Sequence, residues 1–322
     1  MKSKTKKTAA FLIAALLVCV NGIPASQNDS YTTVAKAETI AEQAVPLSGE
    51  PAISNVLLPV PSGKSVQKND KALIDYSNTS EGYIMMRYTA STSKRLKVQI
   101  ARDGGTTYTY NLGAGSSYTT FPLSDGNGSY KATIFENVTG TSYATVLSAS
   151  FNVTLDNEFS PFLLPNQYVN YNVNTKCVVK SRELTSGLTN TLDKVSAVYN
   201  FVVENFTYDY AEADSVQSGY TPVLDSVYDA KKGICFDYAA TMTAMLRSQN
   251  IPTKLVVGYS GNVYHAWINV YTKESGWVDA AIYFDGIQWK LMDPTFASTG
   301  KQDPVIMQYI GNASNYVEKY LY

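Results

Sequence analysis

The hydrophobic pattern of this chain changes its period near Pro165, and that change limits the folds open to it. From about residue 73 to residue 155, apolar residues alternate with polar ones, as in strands buried on one face. After Pro165 apolar residues recur every three or four positions, as on one side of a helix, before short strands return. The pattern predicts an α+β chain in which an all-β, sandwich-like domain at 71–160 precedes a helix-containing domain at 161–322.

The first predicted domain consists of short alternating runs separated by turn residues. Strands are predicted at 83–88, 96–100, 107–110, 129–135 and 146–153. Asp125-Gly126-Asn127-Gly128 predicts a hairpin, because glycine and asparagine accept the positive φ of tight hairpin turns. Asp125 and Asn127 would also suit a calcium ion, but the other ligands of a calcium loop are missing, so the hairpin is favoured.

The second predicted domain combines helices with strands. A helix behind the candidate cap Thr191 is indicated by apolar residues at helical spacing, namely Leu192, Val195, Tyr199, Val202 and Phe206. A second helix is predicted to begin at Cys235 and to end before Pro252, since the residue before proline avoids helical geometry. Strands are predicted at 254–259, 263–271 and 289–292, with His265, Trp267 and Asn269 on one face of the middle strand.

The N-terminal segment has the layout of a secretory signal. Four lysines precede the apolar run 9–20, which is shorter than the about 20 residues that span a membrane. Cleavage is expected after Ala37 or Ser26, and the proline-containing segment 38–70 is predicted to be a linker or extended arm. Cys19 would allow a lipoprotein, although Val18 stands where a small residue is normally needed. We therefore expect a protein that is secreted or loosely held at the cell surface.

The charge balance argues against nucleic acid as a partner. The 26 basic and 27 acidic residues give a formal net charge of -1 and form no basic stripe, whereas phosphate binding needs one. The sequence has no nucleotide-binding glycine loop, and one histidine with two distant cysteines matches no zinc spacing. We therefore predict no organic cofactor and no metal site.

Removal of the signal would leave two cysteines, Cys177 and Cys235, which are too few for a disulfide framework. They could form one disulfide, remain as buried thiols, or include a nucleophile. Cys235 favours the last interpretation, because it lies at the predicted first turn of a helix. Free N–H groups and the helix dipole stabilise a thiolate at that position.

A thiol nucleophile requires a base, and His265 is the only histidine in the chain. The base in turn needs an acceptor for its second ring nitrogen. Asp293 ends the last predicted strand, so Cys235, His265 and Asp293 would come from three different elements. Asp279 is a rival orienting residue that spacing does not exclude. Asp237 lies on the Cys235 helix and would point away from a strand histidine.

Several segments, taken in order, resemble the transglutaminase-like superfamily. They are Gly233-Ile234-Cys235-Phe236-Asp237-Tyr238, the helix that follows it, Ile251-Pro252, Val257-Gly258-Tyr259, His265-Ala266-Trp267, Gly276-Trp277-Val278 and Asp293-Pro294-Thr295. The resemblance covers roughly residues 185–300 and implies a papain-like core, in which the helix carrying the cysteine packs on an antiparallel sheet. It places a Cys-His-Asp triad on Cys235, His265 and Asp293. The chain also resembles exported proteins of Gram-positive bacteria that pair this domain with a β-rich region.

The resemblance implies acyl transfer on protein or peptide amides. Cys235 would attack the carbonyl, His265 would pass the proton to the leaving amine, and Asp293 would steady the imidazolium. The Cys235 N–H and, less strongly, Gln217 would bind the developing oxyanion. Trp267 and Tyr264 would line the cleft, although ordinary strand packing explains them equally well.

Two outcomes of that chemistry remain open. The thioester could pass to an amine, which gives a cross-link, or to water, which gives deamidation or proteolysis; hydrolysis is simpler because it needs no acceptor site. We expect a protein or peptide substrate, associated with the cell wall or free. The alternative is a non-catalytic surface protein whose β-domain binds a wall polymer or another protein, with the C-terminal domain as a scaffold.

Overall fold

The computed structural model of the 322-residue chain describes residues 56–273, 275–278, 282–284, 289–291 and 315–322. The signal segment predicted at 1–37 lies outside these residues, as do Asp279 and Asp293. Within the described ranges, no helix is long and apolar enough to cross a membrane.

The N-terminal β region contains two antiparallel four-stranded sheets. The strands are β1 (Val66–Lys68), β2 (Ala72–Asp75), β3 (Tyr83–Tyr88), β4 (Leu96–Arg102), β5 (Thr107–Leu112), β6 (Thr119–Pro122), β7 (Gly128–Thr139) and β8 (Ser142–Val153). One sheet has the order β1-β2-β3-β6 and the other the order β5-β4-β7-β8. Alternating side chains from both sheets, such as Ile84, Val98 and Ile134, meet in one core. This confirms the predicted β-rich region; β1 lies within the segment predicted as an arm.

The predicted hairpin at 125–128 is wrong. Asp125-Gly126-Asn127-Gly128 leads from β6 to β7, and these two strands belong to different sheets. Gly126 does adopt the expected positive φ, 75°. The turn geometry is therefore as predicted, but the two strands that flank the turn do not pair. Side-chain bonds fix the crossover instead: the Asp125 carboxylate accepts from Tyr108 Oη at 2.9 Å, and Asn127 Oδ1 accepts from Leu155 N at 2.8 Å.

Five helices follow in the described part of the chain, namely α1 (Lys176–Leu184), α2 (Thr191–Asn205), α3 (Tyr210–Ser215), α4 (Leu224–Ala230) and α5 (Cys235–Arg247). The helices α2 and α5 were predicted, whereas α1, α3 and α4 were not. The cap of α2 is Asn190 rather than Thr191, because the Asn190 side chain accepts from Leu192 N at 2.7 Å. The α5 helix ends at Arg247, and Asn250 beyond it has a φ of 58°.

A third four-stranded antiparallel sheet lies in the C-terminal part of the described chain. Its strands are β11 (Thr253–Ser260), β12 (Val263–Thr272), β13 (Gly276–Val278) and β16 (Tyr316–Leu321), in the order β13-β12-β11-β16. Two short pairs accompany it: parallel β9 (Thr207–Tyr208) with β10 (Lys232–Gly233), and antiparallel β14 (Ile282–Phe284) with β15 (Trp289–Leu291). Buried residues of α5 share one core with those of β11 and β12. The predicted packing of the cysteine helix on an antiparallel sheet is confirmed.

Tyrosines join the N-terminal β region to the β13-β12-β11-β16 sheet. Tyr110 of β5 stacks on Tyr168 with 5.7 Å between ring centroids and meets Tyr322 edge-on at 5.7 Å. Tyr108 contacts Tyr320 and Tyr322, each at 5.8 Å. Such contacts bury large apolar surfaces, so the β region packs against the same core that contains α5.

Candidate active site

Cys235 is the first residue of α5, and main-chain bonds around Ile234 set this start. Ile234 is extended, with φ −90° and ψ 177°. Its N–H donates to Asp237 Oδ2 at 2.8 Å, and its carbonyl oxygen accepts from Asp237 N at 3.0 Å and Tyr238 N at 3.1 Å. At the first helical position the Cys235 N–H has no acceptor within the helix. That N–H can therefore bind an anion, as the sequence analysis expected for an oxyanion donor.

The two cysteines of the described chain are free thiols in different surroundings. Cys177 of α1 has no exposed surface, and its burial raises the pKa of the thiol to about 12. Cys235 retains 8% of its surface and stands at a helix start, where the dipole favours an anion. The disulfide considered between them is not formed in the structure.

His265 is the third residue of β12 and is buried, with 1% of its surface exposed. The register pairs it with Gly258 of β11. Strand alternation gives His265 and Trp267 one face of β12, and their rings stack with centroids 6.2 Å apart. Tyr264 and Ala266 take the other face, and Ala266 belongs to the core that includes α5.

The helix α5 packs on β12, against the face that carries Ala266, and this face is opposite to the one that carries His265. The imidazole lies on the Trp267 side of the sheet. Both carboxylates considered as its orienting partner, Asp293 and Asp279, fall outside the described residues. Their roles remain predictions.

Asp237, the third carboxylate considered, has a defined role near Cys235. It is buried with no exposed surface and accepts from Tyr220 Oη at 2.7 Å as well as from Ile234 N. Burial raises the pKa of this carboxyl to about 7, although the two hydrogen bonds oppose that rise. Its side chain turns back to the start of α5, to Ile234 N, and to Tyr220 in the preceding segment.

Tyr264 and Trp267, the two residues predicted to line the cleft, lie on opposite faces of β12 and differ in burial. Tyr264 is half-buried and meets Tyr259 edge-on at 5.5 Å. Burial raises the pKa of the Tyr264 hydroxyl to about 12, and the side chain packs against the core that contains Cys235. Trp267 is buried against Val256, which is strand packing.

Gln217 is exposed, and its amide donates to the carbonyl oxygen of Ser215 at 2.8 Å. The side chain is therefore held by its own loop. Among the described residues, no three His, Cys, Asp or Glu side chains form a cluster that could hold a metal ion.

The pairing of Tyr220 with Asp237 was not predicted from the sequence. A signal existed for the aspartate, because an acidic residue at the third helical position often binds the main-chain N–H that precedes the helix. No comparable signal marked Tyr220, which precedes α4 and reaches α5 only through the tertiary fold.

Comparisons with known proteins agree with this part of the structure. Residues 180–294 match the model of the transglutaminase-like superfamily. The uncharacterized protein YebA of Bacillus subtilis (strain 168) is 30% identical over 115 residues, which are 30% of this chain and 16% of that protein. A protein-glutamine gamma-glutamyltransferase of Pseudomonas aeruginosa is 31% identical over 75 residues, 19% of this chain and 11% of that protein. The chain thus spans less than a fifth of the length of either relative.

Solved structures align with this chain at low similarity. Red sea bream transglutaminase aligns with a TM-score of 0.26 and 12% identity, covering 71% of this chain and 53% of that one. A protein of Cytophaga hutchinsonii assigned as a cysteine protease aligns with a TM-score of 0.37 and 14% identity, covering 74% of this chain and 83% of that one.

Proposed function

We propose, from the match of residues 180–294 to the transglutaminase-like superfamily, that the protein is a thiol acyl-transfer enzyme acting on protein or peptide amides. In this proposal Cys235 is the nucleophile, His265 is the base and Asp293 orients the imidazole. The observation that carries the proposal is the position of Cys235 at the first turn of α5, packed on the strand that holds the only histidine of the chain.

The proposed reaction has two halves. His265 takes the thiol proton, and the Cys235 sulfur adds to the amide carbonyl while the Cys235 N–H binds the developing oxyanion. The C–N bond then breaks, His265 gives its proton to the leaving amine, and a thioester remains on Cys235. Water or a second amine attacks the thioester and returns the free thiol, releasing an acid or a new amide.

We propose hydrolysis as the default outcome, because water needs no acceptor site. Transfer to a lysine amine would require a second channel to the thioester. The two outcomes differ in product: hydrolysis of a glutamine carboxamide releases ammonia and leaves glutamate, whereas transfer joins the acyl group to the amine.

We also propose that the protein is exported, since the basic start and the apolar run 9–20 have the layout of a signal. Its substrate would then be a protein or peptide outside the cell, associated with the wall or free. Mass spectrometry of the culture medium would identify the mature N-terminus; the intact Met1 found only in the cytoplasm would contradict export.

Alkylation of Cys235 tests the catalytic part of the proposal. The protein and its His265→Ala variant are treated with iodoacetamide at pH 4 to 9, and the labelled cysteine is mapped by mass spectrometry. We expect rapid labelling of Cys235 well below pH 8.5, about the pKa of a free thiol, and loss of this rapid labelling in the variant. Equal, slow labelling of both proteins would overturn the Cys–His pair.

A glutamine peptide then distinguishes the outcomes. Ammonia release without an added amine indicates hydrolysis, and incorporation of a fluorescent primary amine indicates transfer. A Cys235→Ser variant, which keeps the shape of the side chain, should lose both activities by more than about a thousandfold.

A second candidate function has an observation in its favour. Cys235 and His265 retain only 8% and 1% of their surfaces, which suits a scaffold as well as an enzyme. In that case the protein would bind a wall polymer through its β region. Retention of the Cys235→Ser variant on purified cell walls, together with slow alkylation of the unaltered Cys235, would favour the binding function.

A further inference from the structure

The segment 216–223, which connects α3 to α4, is joined to the start of α5 by a side-chain hydrogen bond. Tyr220 Oη donates to Asp237 Oδ1 at 2.7 Å, and the Tyr220 and Phe236 rings lie 6.5 Å apart. Asp237 is completely buried and Tyr220 is half-buried, so the carboxylate end of this bond is shielded from water.

The same carboxylate holds the main chain on the other side of the cysteine. Asp237 Oδ2 accepts from Ile234 N at 2.8 Å. Gly233 leaves room for it, since a Cβ at position 233 would lie 2.6 Å from Asp237 Cβ and 2.8 Å from Oδ2. One residue therefore connects Tyr220 with the turn that leads into Cys235.

These bonds determine where the Cys235 N–H points. The Ile234 carbonyl and the Cys235 N–H belong to one planar trans peptide, so they point in opposite directions. The carbonyl is held inward by the N–H groups of Asp237 and Tyr238, at 3.0 and 3.1 Å. The Cys235 N–H must then point outward from the helix start.

The N-terminal β region holds the other side of the segment. Asn111 of β5 donates to the Gly219 carbonyl oxygen at 3.5 Å. A side chain at position 219 would be strained, because Gly219 has a φ of 95° and a Cβ there would lie 2.6 Å from Asn111 Nδ2. The segment therefore contacts β5 on one side, through Gly219, and α5 on the other side, through Tyr220.

We propose that Tyr220 and Asp237 are a pair of positioning residues that aim the Cys235 N–H at the oxyanion of the acyl-transfer reaction. This inference rests on the proposed function and assigns to it two residues that do not touch the substrate. Loss of the Tyr220 hydroxyl leaves one carboxylate oxygen without its partner and loosens the peptide that Asp237 holds. The nucleophile remains, but its oxyanion donor is no longer fixed.

Two reagents separate positioning from simple reactivity. p-Nitrophenyl acetate acylates a thiol through a tetrahedral oxyanion, with release of p-nitrophenolate, whereas iodoacetamide alkylates it at a saturated carbon without one. In Tyr220→Phe we expect the acylation rate of Cys235 at pH 7 to fall at least tenfold and the alkylation rate to change less than threefold. Tyr210→Phe removes the hydroxyl of a half-exposed tyrosine near the same segment and should change neither rate.

A double variant tests whether the two residues act together. Asp237→Ala removes the acceptor of the bond that Tyr220→Phe also breaks, so Tyr220→Phe combined with Asp237→Ala should be acylated no more slowly than Asp237→Ala alone. Circular dichroism at the assay temperature verifies that each variant is folded. Additive losses in the double variant would contradict the pair.

The outcomes distinguish the inference from the proposed function. If Cys235 of the unaltered protein reacts with neither reagent, the proposed function fails. If it reacts with both and Tyr220→Phe is acylated at the normal rate, or loses acylation and alkylation in equal measure, the positioning inference alone is overturned.

Discussion

The buried guanidinium of Arg247 donates a 2.6 Å hydrogen bond to the main-chain carbonyl of Leu164, 83 residues earlier in the chain. The same group donates to the carbonyl oxygens of Thr253 at 2.9 Å and Tyr322 at 2.6 Å. Burial lowers the pKa of Arg247 to about 10, yet the group remains charged at neutral pH. One side chain at the end of α5 therefore binds three separate parts of the chain, namely the segment before α1, the start of β11 and the residue after β16.

Arg247→Met should destabilise the fold strongly, because it removes three hydrogen bonds that a buried guanidinium donates to main-chain oxygens. We expect the free energy of unfolding to fall by about 3–5 kcal/mol. Arg247→Lys keeps the charge but cannot reach three acceptors in a fixed plane, so its loss should be intermediate. Urea unfolding of the three proteins measures the order; a loss below about 1 kcal/mol for the methionine variant would contradict the role.

The sequence predicts the parts of this fold that depend on local periodicity. The alternation over β4 and β5 and the helical spacing over α2 appear in the structure where the pattern predicts them. The pairing of β6 and β7 in different sheets was not predictable from the turn between them. A glycine-rich turn specifies the backbone angles of a reversal, whereas strand partners depend on contacts between distant segments.

In the candidate site, too, local features were predictable and contacts between distant segments were not. Cys235 at a helix start and His265 in a strand follow from local pattern, and the structure places both on those elements. The near-complete burial of His265 and its stacking on Trp267 depend on how β11 and β16 pack beside β12. The partnership of Tyr220 with Asp237 likewise crosses 17 residues and left no periodic signal. The sequence therefore predicts which residues are candidates for the site, whereas tertiary contacts determine the surroundings of those residues.

The buried Asp237 should make stability depend on pH. Burial raises the pKa of its carboxyl to about 7, so between about pH 4 and pH 7 the folded protein retains a proton that the unfolded chain releases. The free energy of unfolding should therefore decrease as pH rises through this window, by up to about 4 kcal/mol. Asp237→Asn cannot ionise and should lose this slope.

Urea unfolding at pH 5 and pH 8 tests the sign of that dependence. The asparagine variant should match the unaltered protein at pH 5 and exceed its stability at pH 8. Asp214→Asn, at an exposed aspartate of α3, changes the net charge equally and should keep the original slope. If the asparagine variant were less stable than the unaltered protein by the same amount at pH 5 and at pH 8, the charge at Asp237 would not destabilise the folded protein.

The two thiols should differ in reactivity in the native protein. Burial raises the pKa of Cys177 to about 12, which leaves almost no thiolate at pH 7, and no solvent reaches its side chain. Native labelling with iodoacetamide should modify Cys235 at least a hundredfold faster than Cys177. In urea both thiols should react at similar rates; preferential native labelling of Cys177 would contradict the arrangement.

Gly258 should be essential for the attachment of β16 to the sheet. It lies opposite His265 in β11, and a Cβ at this position would overlap the main-chain oxygen of Val317 and lie 2.8 Å from the Trp267 ring. Because backbone cannot move aside as a flexible side chain can, Gly258→Ala should destabilise the protein by about 2–4 kcal/mol. Gly113→Ala is the matched control, since a Cβ there meets no atom within 4 Å, and it should change stability by less than about 1 kcal/mol. Hydrogen exchange should locate the damage, with faster exchange of the β16 amides in Gly258→Ala. Equal stability and equal exchange of the two variants would mean that β11 and β16 can separate slightly without loss of their pairing.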